Sequence, residues 1–256
     1  MKYICLLLPV LISFSASAQK LHADLYMGIA NYQGDLQGNR FTLSQSQPAI
    51  GLGASYDLSD KFIIRTGLAY AKIEANDSKN KAGKGIEFRN LNFRSSITEF
   101  HVGMEYNLFD LGYRDISPYV FAAAAVYHFN PYTNDAAGNK VFLKPLSTEG
   151  QGLLQYPASK LYKLTQFAIP FGGGLKFSLS ENLQAGFEIG FRKLFTDHLD
   201  DVSTNYVDSA TLFAAKGARA VELAYRGDEV TGGPSYPADG SQRGNPKFKT
   251  GIILLL

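Results

Sequence analysis

Several features are scarce in this chain of 256 residues, and each scarcity excludes a class of protein. The only cysteine is Cys5, so disulfide frameworks and thiolate catalysis further along the chain are excluded. The formal net charge is only +2, which leaves no electrostatic footprint for a nucleic acid. No stretch beyond the first twenty residues contains eighteen consecutive apolar residues, so helical membrane spans are not expected.

The first residues have the pattern of a secretory signal peptide. Lys2 supplies a minimal positive region, residues 4–14 are an apolar run of suitable length, and Ala16-Ser17-Ala18 is a small-residue cleavage signal. We therefore predict a signal peptide over residues 1–18, cut between Ala18 and Gln19, and one exported domain over residues 19–256. Cys5 lies before the cleavage point, which disfavours a lipid-anchored lipoprotein.

Glycine and aromatic residues are abundant, with 25 Gly, 18 Phe and 15 Tyr, and apolar residues alternate with polar or small ones. Between residues 183 and 192, apolar side chains occupy the odd positions, and Gln, Gly, Glu and Arg occupy the even ones. This period of two is typical of strands with one apolar face. The same alternation predicts eight strands, near residues 21–32, 47–57, 61–73, 90–107, 117–129, 166–179, 182–193 and 247–256.

The lengths of the connections favour a membrane barrel over a soluble sandwich. Short turns join the second strand to the third, the fourth to the fifth and the sixth to the seventh, whereas the other four connections are long. Outer-membrane barrels alternate short periplasmic turns with long outer loops in this way. We therefore predict an all-β, eight-stranded antiparallel outer-membrane barrel of OmpA or OmpX size, surrounded by outer-membrane lipid.

Two sets of side chains are assigned to places in this barrel. Aromatic residues near strand ends are predicted to form interfacial girdles, namely Tyr32, Tyr56, Tyr70, Tyr106, Tyr119, Tyr127, Phe129 and Phe177. Charged residues on the polar faces are predicted to form a network in the lumen, namely Asp24, Arg65, Glu99, Glu105, Lys176, Glu188 and Arg192. Because an eight-stranded barrel is narrow, these charges should pair and plug it. An ion path is the alternative.

The stretch from Phe195 to Tyr206 contains the densest candidate chemistry. Asp197, His198, Asp200 and Asp201 are possible metal ligands, although their spacing fits no common calcium loop. Asp197, His198 and Ser203 are the residue types of a hydrolase site. The favoured interpretation is structural: the acidic loop folds over the barrel mouth, and its polar side chains bind backbone groups. A short helix is predicted further along this loop, over Ser209 to Arg226.

No nucleotide-binding, zinc-protease, serine-hydrolase or calcium-loop motif is present in the chain. We therefore expect a protein that is not an enzyme, with no cofactor, no small-molecule substrate and no nucleic-acid partner. Two alternatives stay open. One is an outer-membrane enzyme that acts on lipid or peptide, and the other is a ligand binder or adhesin that uses the long loops.

Several stretches resemble a known family. They are N-Y-Q-G-D-L near the first strand, F-R-S-S-I-T-E-F-H-V-G-M-E-Y-N in the fourth, F-R-K-L-F-T-D-H-L-D-D-V-S-T-N-Y, A-V-E-L-A-Y-R-G-D-E and R-G-N-P-K. Together they resemble a family of small outer-membrane barrels from Bacteroidetes, which includes the PorG-type component of the type IX secretion system. The resemblance implies a structural or assembly role in the envelope, and contacts between the short turns and periplasmic secretion-ring proteins.

One segment departs from the family pattern. Such barrels usually continue beyond R-G-N-P-K into an aromatic-rich last strand with an aromatic terminal residue, whereas this sequence reads F-K-T-G-I-I-L-L-L. From the resemblance, we expect this last segment to be altered or shortened and to assemble less efficiently.

Overall fold

The segments in which apolar and polar residues alternate form long antiparallel strands in the computed structural model. The structure describes residues 20–37, 41–79, 86–180, 182–245 and 250–256. The predicted signal peptide and its cleavage point at Ala18 and Gln19 lie outside the described residues. Eight strands form the barrel, and two form a small hairpin in the third long connection. In chain order they are β1 (Leu21–Gln33), β2 (Gln47–Asp57), β3 (Phe62–Asn76), β4 (Asn92–Asn107), β5 (Ile116–His128), β6 (Tyr132–Asn134), β7 (Lys140–Phe142), β8 (Thr165–Ser180), β9 (Leu183–Leu194) and β10 (Gly251–Leu255).

The barrel closes because its last strand pairs with its first. The antiparallel order runs β1, β2, β3, β4, β5, β8, β9 and β10, and β10 hydrogen-bonds back to β1. The predicted fold class, an eight-stranded antiparallel barrel, is therefore confirmed. Its last strand is shorter than the predicted segment 247–256, of which residues 247–249 lie outside the described part of the chain.

The two ends of the barrel differ. Short turns connect β2 to β3, β4 to β5 and β8 to β9 at what we call the turn end. Four long connections leave the opposite end, which we call the loop end. The described parts of these connections contain three α-helices, α1 (Ile86–Arg89), α2 (Ser209–Lys216) and α3 (Ala218–Ala224), and 3-10 turns over Leu43–Gln45, Asp77–Lys79, Lys144–Leu146 and Gly227–Glu229. No described helix is long and apolar enough to cross a membrane.

The helix predicted over Ser209 to Arg226 is two helices joined at Gly217. Asp208 caps α2, because its side chain accepts a hydrogen bond from the Thr211 backbone N–H at 2.7 Å. Gly217 has φ 84° and ψ 176°, a conformation that is essentially restricted to glycine. This residue breaks the helical repeat, so α2 and α3 pack together through Val207, Leu212, Ala220 and Ala224.

A charge-free apolar belt covers the outer face of the strands. Representative exposed side chains are Leu25, Leu52, Leu68, Phe100, Val120, Phe167 and Phe187. Along β3 the belt runs from Phe62 to Tyr70, about 27 Å of strand at the usual rise. Outward-facing charges begin beyond it at the loop end, with Lys72, Arg94 and Lys193. At the usual strand tilt of about 35–45° this length spans roughly 19–22 Å, somewhat less than the apolar band of about 25 Å that is typical of outer-membrane barrels.

The predicted aromatic girdle is only partly correct. Tyr56, Tyr70 and Tyr106 face outwards, but Tyr32, Tyr119, Tyr127 and Phe129 are buried inside the barrel. The error is clearest in β5, where both faces are apolar, and alternation alone cannot say which one points inwards. The aromatic side chains fill the interior, and the smaller Val120, Ala122 and Ala124 face outwards.

Candidate functional site

The barrel interior contains a layer of paired charges in its turn-end half. Arg65 on β3 lies at the centre, with its Nη1 atom 2.6 Å from Glu188 Oε2 and 3.5 Å from Glu105 Oε2. Lys176 on β8 forms an ion pair with Glu105, and the Tyr119 hydroxyl donates a hydrogen bond to Glu188 at 2.9 Å. The strand register brings these side chains together from β3, β4, β5, β8 and β9.

A second pair lies closer to the loop end. Arg192 Nη2 on β9 is 3.3 Å from Glu99 Oε1 on β4, and His101 Nδ1 is 3.5 Å from the same oxygen. The Arg65 guanidinium also lies 4.6 Å from the centre of the Phe121 ring. Six of the seven side chains predicted for the lumen network therefore form ion pairs across the interior.

Asp24 is the exception in this predicted network. Its carboxylate accepts hydrogen bonds from Ser55 Oγ at 3.2 Å and from the Tyr26 hydroxyl at 3.3 Å, but within the described residues it has no ion pair. The network thus contains four carboxylates and three cationic side chains. Asp24 lies near the turn end, where the interior is less enclosed.

The space left among these charges is small. A cavity of about 20 Å³ is lined by Tyr26, Arg65, His101, Phe121, Glu188 and Arg192, among others. That volume accommodates one or two water molecules. Around this cavity the described interior is packed with side chains.

The four long connections fold together over the loop end, and we call this assembly the cap. At its centre, Glu149 and Arg243 form an ion pair of 2.9 Å with both side chains almost completely buried. Glu149 also accepts hydrogen bonds from the backbone N–H groups of Ser203 and Thr204, at 2.8 and 3.0 Å. One carboxylate thereby joins the third long connection to both ends of the fourth.

A second ion pair joins the first two connections to this centre. Arg89 binds both carboxylate oxygens of Asp77, at 2.8 and 2.7 Å, and also donates to the backbone carbonyls of Asp35 and Arg243. Asp77 also accepts from the backbone N–H of Leu91 at 2.9 Å. The cap is thus held by buried, charge-assisted hydrogen bonds, which are among the stronger polar interactions in proteins.

The predicted metal candidates bind separate partners inside the cap. Asp200 accepts from the Tyr32 hydroxyl, while Asp201 accepts from Thr148 Oγ1 at 2.6 Å and from the Tyr162 hydroxyl at 2.7 Å. His198 stacks on the Tyr162 ring with centres 4.7 Å apart. In the described part of the chain, no three His, Asp or Glu side chains are grouped so that they could hold a metal ion.

The hydrolase arrangement of these residues is not formed either. Ser203 donates its hydroxyl directly to Asp197, with Oγ 3.0 Å from Oδ2, and Ser203 is buried. Asp197 accepts a second hydrogen bond from Thr250 Oγ1 at 3.1 Å. In a Ser-His-Asp triad the serine hydroxyl bonds the histidine, and here it bonds the Asp197 carboxylate instead of His198.

Burial makes several cap carboxyls weak acids. Burial raises the pKa of Asp35 to about 7; the Asn245 N–H opposes the rise and the negative charge of Asp197 adds to it. The pKa of the fully buried Asp200 is raised well above its usual range by burial and by the nearby Asp35. Burial also raises the pKa values of Asp197 and Asp201. The cap therefore favours protonated carboxyls.

Sequence reasoning missed the residues that organise the cap. Glu149 and Arg243 are 94 residues apart, and neither belongs to a strand whose alternation could place it. A signal did exist, because the stretches that carry the family resemblance meet here. Tyr32 and Asp35 come from N-Y-Q-G-D-L, Asp200 from the acidic loop, and Arg243 and Asn245 from R-G-N-P-K.

Comparisons with known proteins give a family and a distant structural likeness. A family model described as a domain of unknown function (DUF6089) matches residues 1–213. No curated protein matches the chain. Two crystal structures of Ail, the attachment invasion locus protein of Yersinia pestis, are similar to it at 11% identity and a TM-score of 0.37. One is in complex with the heparin analogue sucrose octasulfate. The matches cover 69% of this chain and 90% and 89% of the Ail chains.

Proposed function

We propose, for a chain that belongs to the DUF6089 family of unknown function, a non-enzymatic outer-membrane barrel with a structural or assembly role. The observation that carries the proposal is the charge-free apolar belt around a closed sheet. Exposed apolar side chains of this number would be a liability in water, but they match the hydrocarbon core of a bilayer. A closed barrel also satisfies backbone hydrogen bonds in lipid.

The packed interior supports a structural role over a diffusion pore. Paired charges, aromatic side chains and the cap fill the barrel, and the cavity described among the lumen charges holds only one or two waters. Of the candidate catalytic residues of the acidic loop, Asp197 and Ser203 bind each other, and His198 stacks on Tyr162 within the cap. We accordingly propose that outer-membrane lipid is the main partner of the chain.

A finer proposal is a role in type IX secretion. It is supported by the resemblance of the quoted stretches to the PorG-type barrels, and by the side chains at the turn end. The turn between β4 and β5 presents the Tyr113 side chain at 91% exposure, next to the charged Asp110 and Arg114. An exposed aromatic among charges is a common anchor in protein interfaces.

Two experiments separate the coarse proposal from the fine one. Purified protein in detergent should migrate differently on a gel before and after boiling and should give a β-type circular dichroism spectrum; failure of both would refute the barrel in the membrane. Deletion of the gene should impair secretion of type IX cargo, and a Tyr113→Ser variant should fail to restore it. Normal secretion in the deletion strain would refute the secretion role and leave the barrel intact.

A second candidate function is ligand binding by the cap. Leu154 is 95% exposed, and Leu161 and Phe213 are 58% exposed, on connections at the loop end. Exposed apolar side chains on a rigid cap are suited to contact with another macromolecule. Cells that carry the protein should then adhere to a surface that cells with Leu154→Ser and Phe213→Ser do not bind. Equal adhesion would exclude this candidate.

A further inference from the structure

Cationic side chains surround the barrel on its outer face, where the apolar belt ends towards the loop end. The alternation of the strands continues past the belt, so outward-facing polar side chains follow the outward-facing apolar ones. Four exposed cations lie in this zone, and we call them the collar. They are Lys72 on β3, Arg94 on β4, Lys193 on β9 and Lys163, two residues before β8.

The collar carries an excess of positive charge. Its three lysines have no ion pair within the described residues, and Arg94 pairs with Glu74, with Nε 3.2 Å from Oε2. Glu74 is also the one carboxylate that faces outwards on the described strands. Four cations therefore stand against one carboxylate at this edge of the belt, which favours an anionic partner.

The opposite edge of the belt has no such collar. In the described strands, the outward-facing residues next to the turns are apolar or aromatic, as at Tyr56, Phe62, Tyr106 and Ile116. The turns beyond them carry charges of both signs, namely Asp60, Lys61, Asp110, Arg114 and Asp115. The preference for an anion therefore belongs to the loop end.

Lys72 and Arg94 are placed so that both can reach one anion. The register pairs Lys72 with Ser96 and Glu74 with Arg94, so Arg94 is the diagonal neighbour of Lys72 on the same face. Diagonal neighbours lie about 7–8 Å apart, within reach of long side chains. Arg94 is 59% exposed and bonds Glu74 only through Nε, so its Nη groups can donate to a ligand. A phosphate has enough acceptor oxygens to bind both side chains at once.

A row of hydrogen-bonding side chains lies between the belt and the collar. Tyr70, Thr98, His128 and Thr165 are paired in turn across β3, β4, β5 and β8. The Tyr70 hydroxyl bonds Ser96 Oγ at 3.0 Å, and His128 Nδ1 lies 3.0 Å from Thr165 Oγ1. Along the outer face, the order is thus apolar, then hydrogen-bonding, then cationic.

A ligand that covers this whole face must itself be apolar at one end and anionic at the other. The belt and the collar are continuous, because on β3 Lys72 follows Tyr70 at the next outward position. An acidic protein would match the collar but not the belt, whereas a lipid with an anionic headgroup matches both. Long lysine and arginine stems also allow the charge to reach the headgroup layer.

We propose that the collar binds the phosphate group of an anionic lipid, with Lys72 and Arg94 as the central pair and the acyl chains of that lipid against the belt. This inference rests on the proposed membrane location, and it adds the headgroup chemistry that the loop end selects. The lipid around the barrel is then not uniform, because only the leaflet at the loop end meets a surface with four cations.

The test uses a tryptophan reporter at each edge of the belt, because the chain contains no tryptophan. Thr98→Trp lies beside the collar on β4, and Tyr106→Trp lies near the turn end of the same strand. The full chain is refolded into phosphatidylcholine vesicles that contain brominated phosphatidic acid or brominated phosphatidylcholine. Quenching then gives the binding constant of the anionic lipid relative to the zwitterionic one. This ratio should be at least about fivefold higher for Thr98→Trp, the factor that one cation near a headgroup contributes.

Variants that remove charge test the central pair. In the Thr98→Trp chain, Lys72→Gln and Arg94→Gln should each lower the ratio by up to about fivefold. The variant with both changes should lower it to the value of Tyr106→Trp. Lys61→Gln, in the exposed turn between β2 and β3, is the matched control and should leave the ratio unchanged. Inorganic phosphate, added at constant ionic strength, should not displace the lipid because it has no acyl chains.

Three results would overturn the proposal. They are equal ratios at the two reporters, an unchanged ratio when both collar charges are removed, and displacement of the lipid by inorganic phosphate, since the ligand would then be a soluble anion. Quenching of both reporters by brominated phosphatidylcholine shows that the barrel lies in the bilayer. Failure of the collar is thereby distinguished from failure of the proposed membrane location.

Discussion

The Glu149 side chain is 0% exposed and its partner Arg243 is 1% exposed, so neither charge of this ion pair has water as an alternative partner. Arg243 also donates to the backbone carbonyls of Asp201 and Ala224, at 2.6 and 3.1 Å. Removal of one member of such a pair leaves a buried, uncompensated charge. The loss of either Glu149 or Arg243 is therefore destabilising mainly because it leaves the other one buried, charged and unpaired.

We predict that Arg243→Ala lowers the free energy of cap opening by about 3–5 kcal/mol, because Glu149 would remain buried without a cation. Hydrogen exchange of residues 197–206 and limited proteolysis should both accelerate, while exchange in β3 and β4 stays unchanged. The matched control is Arg219→Ala, which removes a largely exposed arginine 3.6 Å from Asp135. If the two variants open equally, burial of the ion pair is not what holds the cap.

The acidic groups of the cap predict a dependence on pH with a definite sign. Burial raises the pKa of Asp35 to about 7, whereas an unfolded Asp titrates near 4. Between these values the folded cap holds a proton that the open cap releases, so stability is present at low pH and is lost as pH rises through about 7. Asp197, Asp200 and Asp201 act in the same direction.

We therefore expect cap amides, corrected for intrinsic exchange, to open more at pH 8 than at pH 5, and Asp35→Asn to weaken this dependence. Asp208→Asn is the control, since the Thr211 hydroxyl and then its backbone N–H lower the pKa of Asp208, so its charge is constant over this range. An unchanged pH profile in Asp35→Asn would exclude Asp35 as the titrating group.

At the scale of elements, alternation in the sequence was sufficient to predict the eight barrel strands, because a period of two is a local property of each segment. It could not choose the inner face of β5, where Tyr119, Phe121 and Tyr127 alternate with Val120 and Ala122. The contacts within the cap could not be predicted from alternation for a different reason. Its contacts join residues from separate connections, such as Tyr32 with Asp200, and no periodicity encodes which loops meet.

The break between α2 and α3 gives a prediction for one element. A side chain at Gly217 would meet no atom within 4 Å, so its cost comes from the backbone conformation alone. Gly217→Ala should destabilise the helix pair by about 1–3 kcal/mol. Faster hydrogen exchange confined to residues 209–224 would be the expected result. Glu222→Gln, an exposed change within α3, should have no such effect, and equal exchange in both variants would contradict the argument.

At the scale of the whole molecule, the barrel interior has two halves of different composition along its axis. The loop-end half is an aromatic core covered by the cap, with Tyr32, Phe93, Tyr127 and Phe129 almost fully buried. The turn-end half is the charge network. An apolar belt outside and charges inside invert the usual arrangement of a soluble protein, and lipid is the solvent in which that inversion is stable.

The charge network predicts strong coupling between strands that are distant along the chain. Arg65 and Glu188 are 123 residues apart and are joined by a contact of 2.6 Å between side chains about 6% exposed. Arg65→Met would remove the cation bound to Glu188, which keeps its hydrogen bond from the Tyr119 hydroxyl, and one of the two cations bound to Glu105. Because buried carboxylates would then lack a cation, the barrel should lose about 3–5 kcal/mol of unfolding free energy. Glu188→Gln alone should leave Arg65 with Glu105 as its remaining partner.

The decisive measurement is the unfolding free energy of the double variant in urea and lipid vesicles, compared with that of both single variants. Because Arg65→Met and Glu188→Gln together remove both charges of one contact, their combined loss should be smaller than the sum of the single losses by about 0.5–3 kcal/mol. Lys61→Met, a change in the exposed turn between β2 and β3, should not alter the unfolding midpoint. Additive losses would mean that the two side chains act independently, and the lumen charges would then not be what fixes the register of this barrel.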